Sequence, residues 1–182
     1  MNKKTVLAAL ALVIGAGILS AFEIPLNGKL VYDKKIMSVK QEKNRLIVTV
    51  PKREKKLDFV GFTVMLPKPA DFTKFSGTAF TIKSNQTLKA KASFGSWKTR
   101  MSINNWPVPV VQANKETKIQ LDGKLFQPSK GQDGSIGHVI LFAFGFGLWT
   151  SEITQKDLVI EISGVSVDLS GKTGGSNPKQ QD

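Results

Sequence analysis

The stretch Leu158-Val159-Ile160-Glu161-Ile162-Ser163-Gly164-Val165-Ser166-Val167-Asp168-Leu169 decides how the chain folds. Leu158, Ile160 and Ile162 share one face of an extended backbone, because successive side chains point to opposite sides. Val165, Val167 and Leu169 continue the apolar set, but on the opposite parity. In an unbroken strand one of the two sets would face water. A β-bulge at Ser163-Gly164 resolves the conflict, since one extra residue resets the alternation. The stretch therefore predicts a long, bulged strand with a single buried face.

The same period recurs upstream. Residues 45–50 alternate, with Leu46, Val48 and Val50 on one face, and Pro51 ends the run. Residues 57–66 form a mostly apolar strand that Pro67-Lys68-Pro69 is expected to stop. Phe80 and Ile82 point inward from 78–83, and Ser84-Asn85-Gln86 makes a turn. In 87–94, Leu88, Ala90, Ala92 and Phe94 oppose Thr87, Lys89, Lys91 and Ser93. The short link between these two strands predicts a hairpin. Residues 98–103 and 117–121 read as further strands, and 127–137 as a polar, Gly-rich loop. In 139–149 Ile140, Phe142, Phe144, Phe146 and Leu148 share a face, and the other face carries Val139, Leu141, Ala143, Gly145, Gly147 and Trp149. A strand apolar on both faces is central and covered, or lies under a groove.

About nine strands without crossover helices imply antiparallel sheets, and the expected fold is an all-β, two-sheet sandwich of the jelly-roll type. At 182 residues the chain holds one domain, and 41% hydrophobic residues suffice for a core. The expected organisation is a helical signal peptide over 1–21, the sandwich over 22–170, and a flexible tail over 171–182. Lys3 and Lys4 precede an uncharged apolar stretch that ends near Ser20-Ala21, which is the layout of an export signal. The folded part is then secreted or periplasmic, and membrane contact arises only if that segment stays uncleaved.

Composition removes several functions. No Cys excludes disulfides, thiolate metal sites and thiol catalysis, and a single His excludes a multi-histidine centre. The net charge of +12 favours anionic partners. Residues 29–56 carry ten Lys and Arg against three acids.

The order of strands resembles the carbohydrate-binding modules of the galactose-binding-like jelly-roll group. The resemblance is carried by Val159-Ile160-Glu161-Ile162-Ser163-Gly164-Val165-Ser166-Val167, by 78–82 followed by 87–94, by 117–121, and by 139–146. It implies a sandwich that binds sugar. The acidic pair usual in that group is Ser163-Gly164 here, so any role tied to those carboxylates does not carry over.

His138 has no recognisable nucleophile beside it. The carboxylates, Glu161 among them, are scattered along the chain, whereas glycoside hydrolysis needs two across a cleft. Gln132-Asp133-Gly134-Ser135 reads as a turn and not as a calcium loop. No catalytic residue, metal or cofactor is expected. Sugar rings stack their C–H faces on aromatic rings, and amides, guanidinium and hydroxyls bond the sugar hydroxyls. Trp97, Arg100, Asn104, Asn105 and Trp106 combine these groups within ten residues and form the candidate ligand site. Trp149 and Tyr32 are weaker candidates, and Phe142, Phe144 and Phe146 are core. The expected partner is a polysaccharide or glycan, an acidic one included. Nucleic acid is not expected, because basic residues are not interleaved with aromatics. The alternative is a structural or assembly protein of the cell envelope that uses the same sandwich for protein contacts.

Overall fold

The computed structural model describes residues 21–55, 57–103, 109–148 and 156–171. Within these, the chain forms thirteen strands and one short 3₁₀ turn, and no α-helix. The strands are β1 (Ala21–Glu23), β2 (Leu30–Tyr32), β3 (Ser38–Glu42), β4 (Arg45–Val50), β5 (Phe59–Ala70), β6 (Gly77–Ser84) and β7 (Leu88–Gly95). They continue with β8 (Arg100–Ile103), β9 (Val110–Val111), β10 (Thr117–Asp122), β11 (Phe126–Pro128), β12 (Val139–Leu148) and β13 (Leu158–Asp168). All pairings are antiparallel. One sheet runs β10-β6-β13-β4-β3, with β1 joining β13. The other runs β11-β8-β7-β12-β5-β2, with β9 joining β7. The expected all-β sandwich is therefore the observed fold. The first twenty residues of the expected signal segment and residues 172–182 of the expected tail lie outside the described residues. Ala21 pairs with Asp168 at the edge of β13.

The core lies between the sheets. Leu46, Val48 and Val50 of β4, Phe80 and Ile82 of β6, and Leu158, Ile160 and Ile162 of β13 face Phe62, Phe94, Phe142, Phe144 and Phe146 of the second sheet. Ring contacts cross the interface, as where Phe80 meets Phe144 edge-on at 5.5 Å. Such pairs add about 0.5–1.5 kcal/mol to the burial of their area.

The bulge in β13 falls where the sequence predicts it. Its register against β6 shifts between Ser163 and Ser166, and Gly164 has φ +57°, a conformation that glycine adopts without a Cβ penalty. Val165 and Val167 consequently return to the core. β4 pairs with β13 up to Ser163, and β1 takes over the same side beyond the bulge.

Three local expectations differ from the structure. Pro67 and Pro69 do not stop β5. They lie between Met65 and Ala70, where the pairing to β12 is interrupted, so their missing N–H groups break no ladder bond. β6 and β7 do not form a hairpin. They belong to opposite sheets, and the link between them is a corner. There the Asn85 side chain accepts from Val159 N–H and donates to Asp157 O, both at 2.9 Å. The buried Gln86 amide donates to Lys156 O and Asp157 O. Finally, β12 carries a register shift between Val139 and Leu141. Val139 and Phe142 both belong to the core, while Leu141 is buried outside it. The face of β12 read from its alternation thus holds from Phe142 onward only.

Candidate functional site

The outer face of the second sheet carries small side chains along its centre. The register aligns Ser102 of β8, Ser93 of β7, Ala143 of β12, Thr63 of β5 and Val31 of β2 in one row across the sheet. The next row places Lys91 beside Gly145 and Gly61, and the one after it places Lys89 beside Gly147 and Phe59. Alternation explains the pattern, because the residues between these point into the core as Phe62, Ala92, Phe144 and Phe146. A floor of Gly, Ala, Ser and Thr leaves room above it. The result is a groove of about 520 Å³. It spans five strands, and four inter-strand steps of ~4.8 Å give a length of ~19 Å.

The walls are larger. Phe59 is 56% exposed and Val31 40%, two of the three large apolar side chains that the described residues present to solvent, and both line the groove. The Phe59 ring lies against the two glycines. A Cβ built on Gly145 would stand 2.5 and 2.8 Å from its ring carbons, and one on Gly61 would stand 3.1 Å from another. The missing Cβ at Gly145 is what lets the ring settle there. At the β8 end stands Arg100, whose Nε is buried and has no hydrogen-bond partner. Lys91 rises from the floor. At the β2 end the turn from Asp33 to Met37 closes the groove with Asp33, Ile36 and Met37. That turn is held by Ile36 and Met37 N–H groups donating to Asp33 O at 3.0 and 3.1 Å.

The chemistry of this surface is mixed. An exposed aromatic face lies beside hydroxyls (Thr63, Ser93, Ser102), two cationic side chains and one carboxylate. Among the described residues Asp33 is the only carboxylate lining it, and its Oδ1 already accepts the Lys35 N–H at 2.8 Å. Among the described residues no group of His, Cys, Asp and Glu is arranged to hold a metal ion.

The candidate site read from sequence divides. Arg100 is in the groove. Trp97 is 58% exposed in the turn between β7 and β8, outside the groove lining. Asn104, Asn105 and Trp106 lie outside the described residues, as does Trp149. Tyr32 is half-buried, packs against the core and does not line the groove. His138 is exposed just before β12. Glu161 is on the outer face of the other sheet, where Arg45 donates to it at 3.2 Å and to Glu42 at 2.6 Å. Lys40 and Arg45 together hold the Glu42 carboxyl below its ordinary range. These are solvated surface pairs, and none is part of a cleft. Asp133 accepts the Ser135 N–H in a turn, as the sequence predicts.

Phe59, Val31 and the paired glycines 61 and 145 are the residues that sequence reasoning misses. The available signal was the outward face of β12, where Ala143, Gly145 and Gly147 alternate with phenylalanines. Small residues on an outward face mark a place where something else can approach the backbone.

No protein-family model matches the chain, and no curated protein sequence matches it. Solved structures do. PfGH50B superposes with a TM-score of 0.54 at 12% identity over 81% of this chain. An agarase gives 0.53 at 8% over 81%. A variant of a family 29 carbohydrate-binding module gives 0.50 at 9% over 86%. The chain spans about a quarter of the first two structures (23% and 24%) and 95% of the third. At these identities the likeness is one of fold, and the fold is the β-sandwich that carbohydrate-binding modules use.

Proposed function

We propose that this protein binds carbohydrate without catalysis, along the groove on the outer face of the second sheet. The observation that carries the reading is the exposed Phe59 ring beside a floor of glycine, alanine and hydroxyl side chains. A sugar ring laid on Phe59 would bury C–H surface, and Thr63, Ser93, Ser102, Lys91 and Arg100 are placed to bond its hydroxyls. The sandwich shared with a family 29 carbohydrate-binding module supports the same reading at the level of fold. Binding without hydrolysis is supported by the single carboxylate, Asp33, lining the groove among the described residues. An acidic polysaccharide is the ligand class we favour, because Lys91 and Arg100, whose buried Nε has no hydrogen-bond partner, are the cationic groups lining the groove. A secreted or periplasmic location, with residues 1–21 as export signal, suits a ligand of that kind.

A screen of immobilised glycans, neutral and acidic, tests this. Phe59→Ala should lose retention on the glycans that the unmodified protein holds, with its thermal midpoint kept. Arg100→Ala should lose retention on acidic glycans above all. Full retention by Phe59→Ala on every glycan would reject the groove as the site.

A further inference from the structure

The basic stretch 29–56 is not one surface. Lys40 and Arg45 are engaged by Glu42 and Glu161 on the outer face of the first sheet. Lys43 is in the β3–β4 turn, at one end of the sandwich. Four of the remaining basic residues gather at the other end. Ser38 of β3 pairs with Thr49 of β4, so the turn before β3 stands beside the loop after β4. Lys35 from the former and Lys52, Arg53 and Lys55 from the latter line a shared shallow depression of about 390 Å³. Lys52 N–H donates to Asp157 Oδ1 at 2.8 Å, which anchors the loop. Glu54 is the single acid in the depression, and none of the four cations forms an ion pair among the described residues.

This depression adjoins the groove. The same five-residue turn that sends Asp33, Ile36 and Met37 into the groove's β2 end sends Lys35 into the depression. The loop that carries Lys52, Arg53 and Lys55 runs on into Phe59, the groove's aromatic wall. A polymer lying across the sheet from Arg100 towards β2 therefore leaves the groove over Lys35. Like charges held together without partners repel one another, and an anionic chain relieves that repulsion.

Resting on the groove reading above, we infer that the bound polysaccharide is polyanionic and longer than the groove, its continuation held by Lys35, Lys52, Arg53 and Lys55. The groove selects the sugar, and the basic end adds affinity in proportion to the charge that reaches it. Because these contacts are exposed, salt screens them. Because they are mostly lysine, they hold a negative chain without fixing its geometry.

The test compares three probes by calorimetry on the full chain: a short oligouronate no longer than the ~19 Å floor, a long polyuronate, and that polyuronate with its carboxyls reduced to alcohols. The long polyuronate should bind roughly 5- to 20-fold tighter than the short one at low salt, the product of a few exposed charge contacts. That advantage should fall to near unity between ~50 and ~200 mM salt. Lys52→Ser/Arg53→Ser/Lys55→Ser should abolish the advantage and leave the short oligouronate's affinity unchanged. An advantage that survives in the triple variant, or that the reduced polymer shows equally, overturns the inference while the groove stands. Binding of neither uronate overturns it as well. Unchanged short-oligomer binding in Phe59→Ala instead defeats the groove reading.

Discussion

Gly145→Ala separates the groove from the fold. Gly145 is flanked by Phe144 and Phe146, both in the core, and its backbone pairs on both sides, with Lys91 and with Gly61. It has no positive φ, so alanine fits the backbone. Replacing glycine at a compatible position stabilises by about 0.4–1 kcal/mol through the unfolded chain. The new methyl would meet the Phe59 ring at 2.5 Å, against ordinary carbon contacts of about 3.5 Å. The ring must then recede by about 1 Å or swing off the floor. Phe59 is 56% exposed, so nothing heavy opposes that movement. Stability should stay within about 1 kcal/mol of the unmodified protein. Ligand binding should not survive intact. Burying the exposed half of a phenylalanine is worth about 0.8–1.5 kcal/mol, taken from 1.5–3 kcal/mol for a whole side chain. Misplacing the ring should therefore weaken binding roughly 4- to 13-fold. Calorimetry on Gly145→Ala, Phe59→Ala and the double variant checks the coupling: the double should be no weaker than Phe59→Ala alone. Losses that simply add, or a Gly145→Ala protein that binds normally, would refute the claim that the glycine seats the ring.

Other outcomes follow from the same geometry. Gly164→Ala should lower stability by about 1–2 kcal/mol, read in urea melts, because its added methyl meets nothing within 4 Å and only the φ of +57° opposes it. Asn85→Ala should cost about 2 kcal/mol, since two hydrogen bonds pinning the corner to β13 vanish together. The Asp168 carboxyl is held below its ordinary value of 3.8 by the Ser170 hydroxyl and then by the Ser170 N–H. A lowered folded value means that its contribution to stability is present above pH ~4 and is lost as pH falls through the folded value. Thermal melts from neutral to acid pH should thus fall less steeply for Asp168→Asn, which lacks that contribution throughout.

The fold was legible wherever polar and apolar residues alternate. β13 announces its bulge because polar Glu161, Ser163 and Ser166 separate the aliphatic side chains, so a change of phase leaves a visible mark. β12 carries a comparable irregularity at 139–141 that no reading of alternation could find, because Val139, Ile140 and Leu141 are all apolar. β6 and β7 look like a hairpin in sequence because the turn chemistry of Ser84-Asn85-Gln86 says that the chain reverses, not which sheet it rejoins. That choice is made by Asn85 and Gln86 bonding to residues 156–159, a contact some seventy residues away. The strands of two or three residues (β1, β2, β9, β11) are too short to display a period at all.

The site was legible in a more limited way, and for a physical reason. Tryptophan is the most conspicuous stacking surface in a sequence, which is why Trp97 and Trp106 stand out there. What makes a ring available to a ligand, however, is what lies behind it. Phe59 would be one more core candidate in a chain of eleven phenylalanines if its neighbours on the outer face of the sheet carried side chains. They are Gly61 and Gly145 instead, and Gly147 is its direct cross-strand partner. These glycines weaken the strands they occupy, by about 0.5–1 kcal/mol each relative to alanine. Their cost falls on the outer face of the adjacent strands β5 and β12, and the inner face answers with Phe62, Phe144 and Phe146. The sheet is thus heavily packed on one side where it is stripped bare on the other. Strands held by their inner face can leave the outer one open, which is the condition for a groove that exists before any ligand arrives.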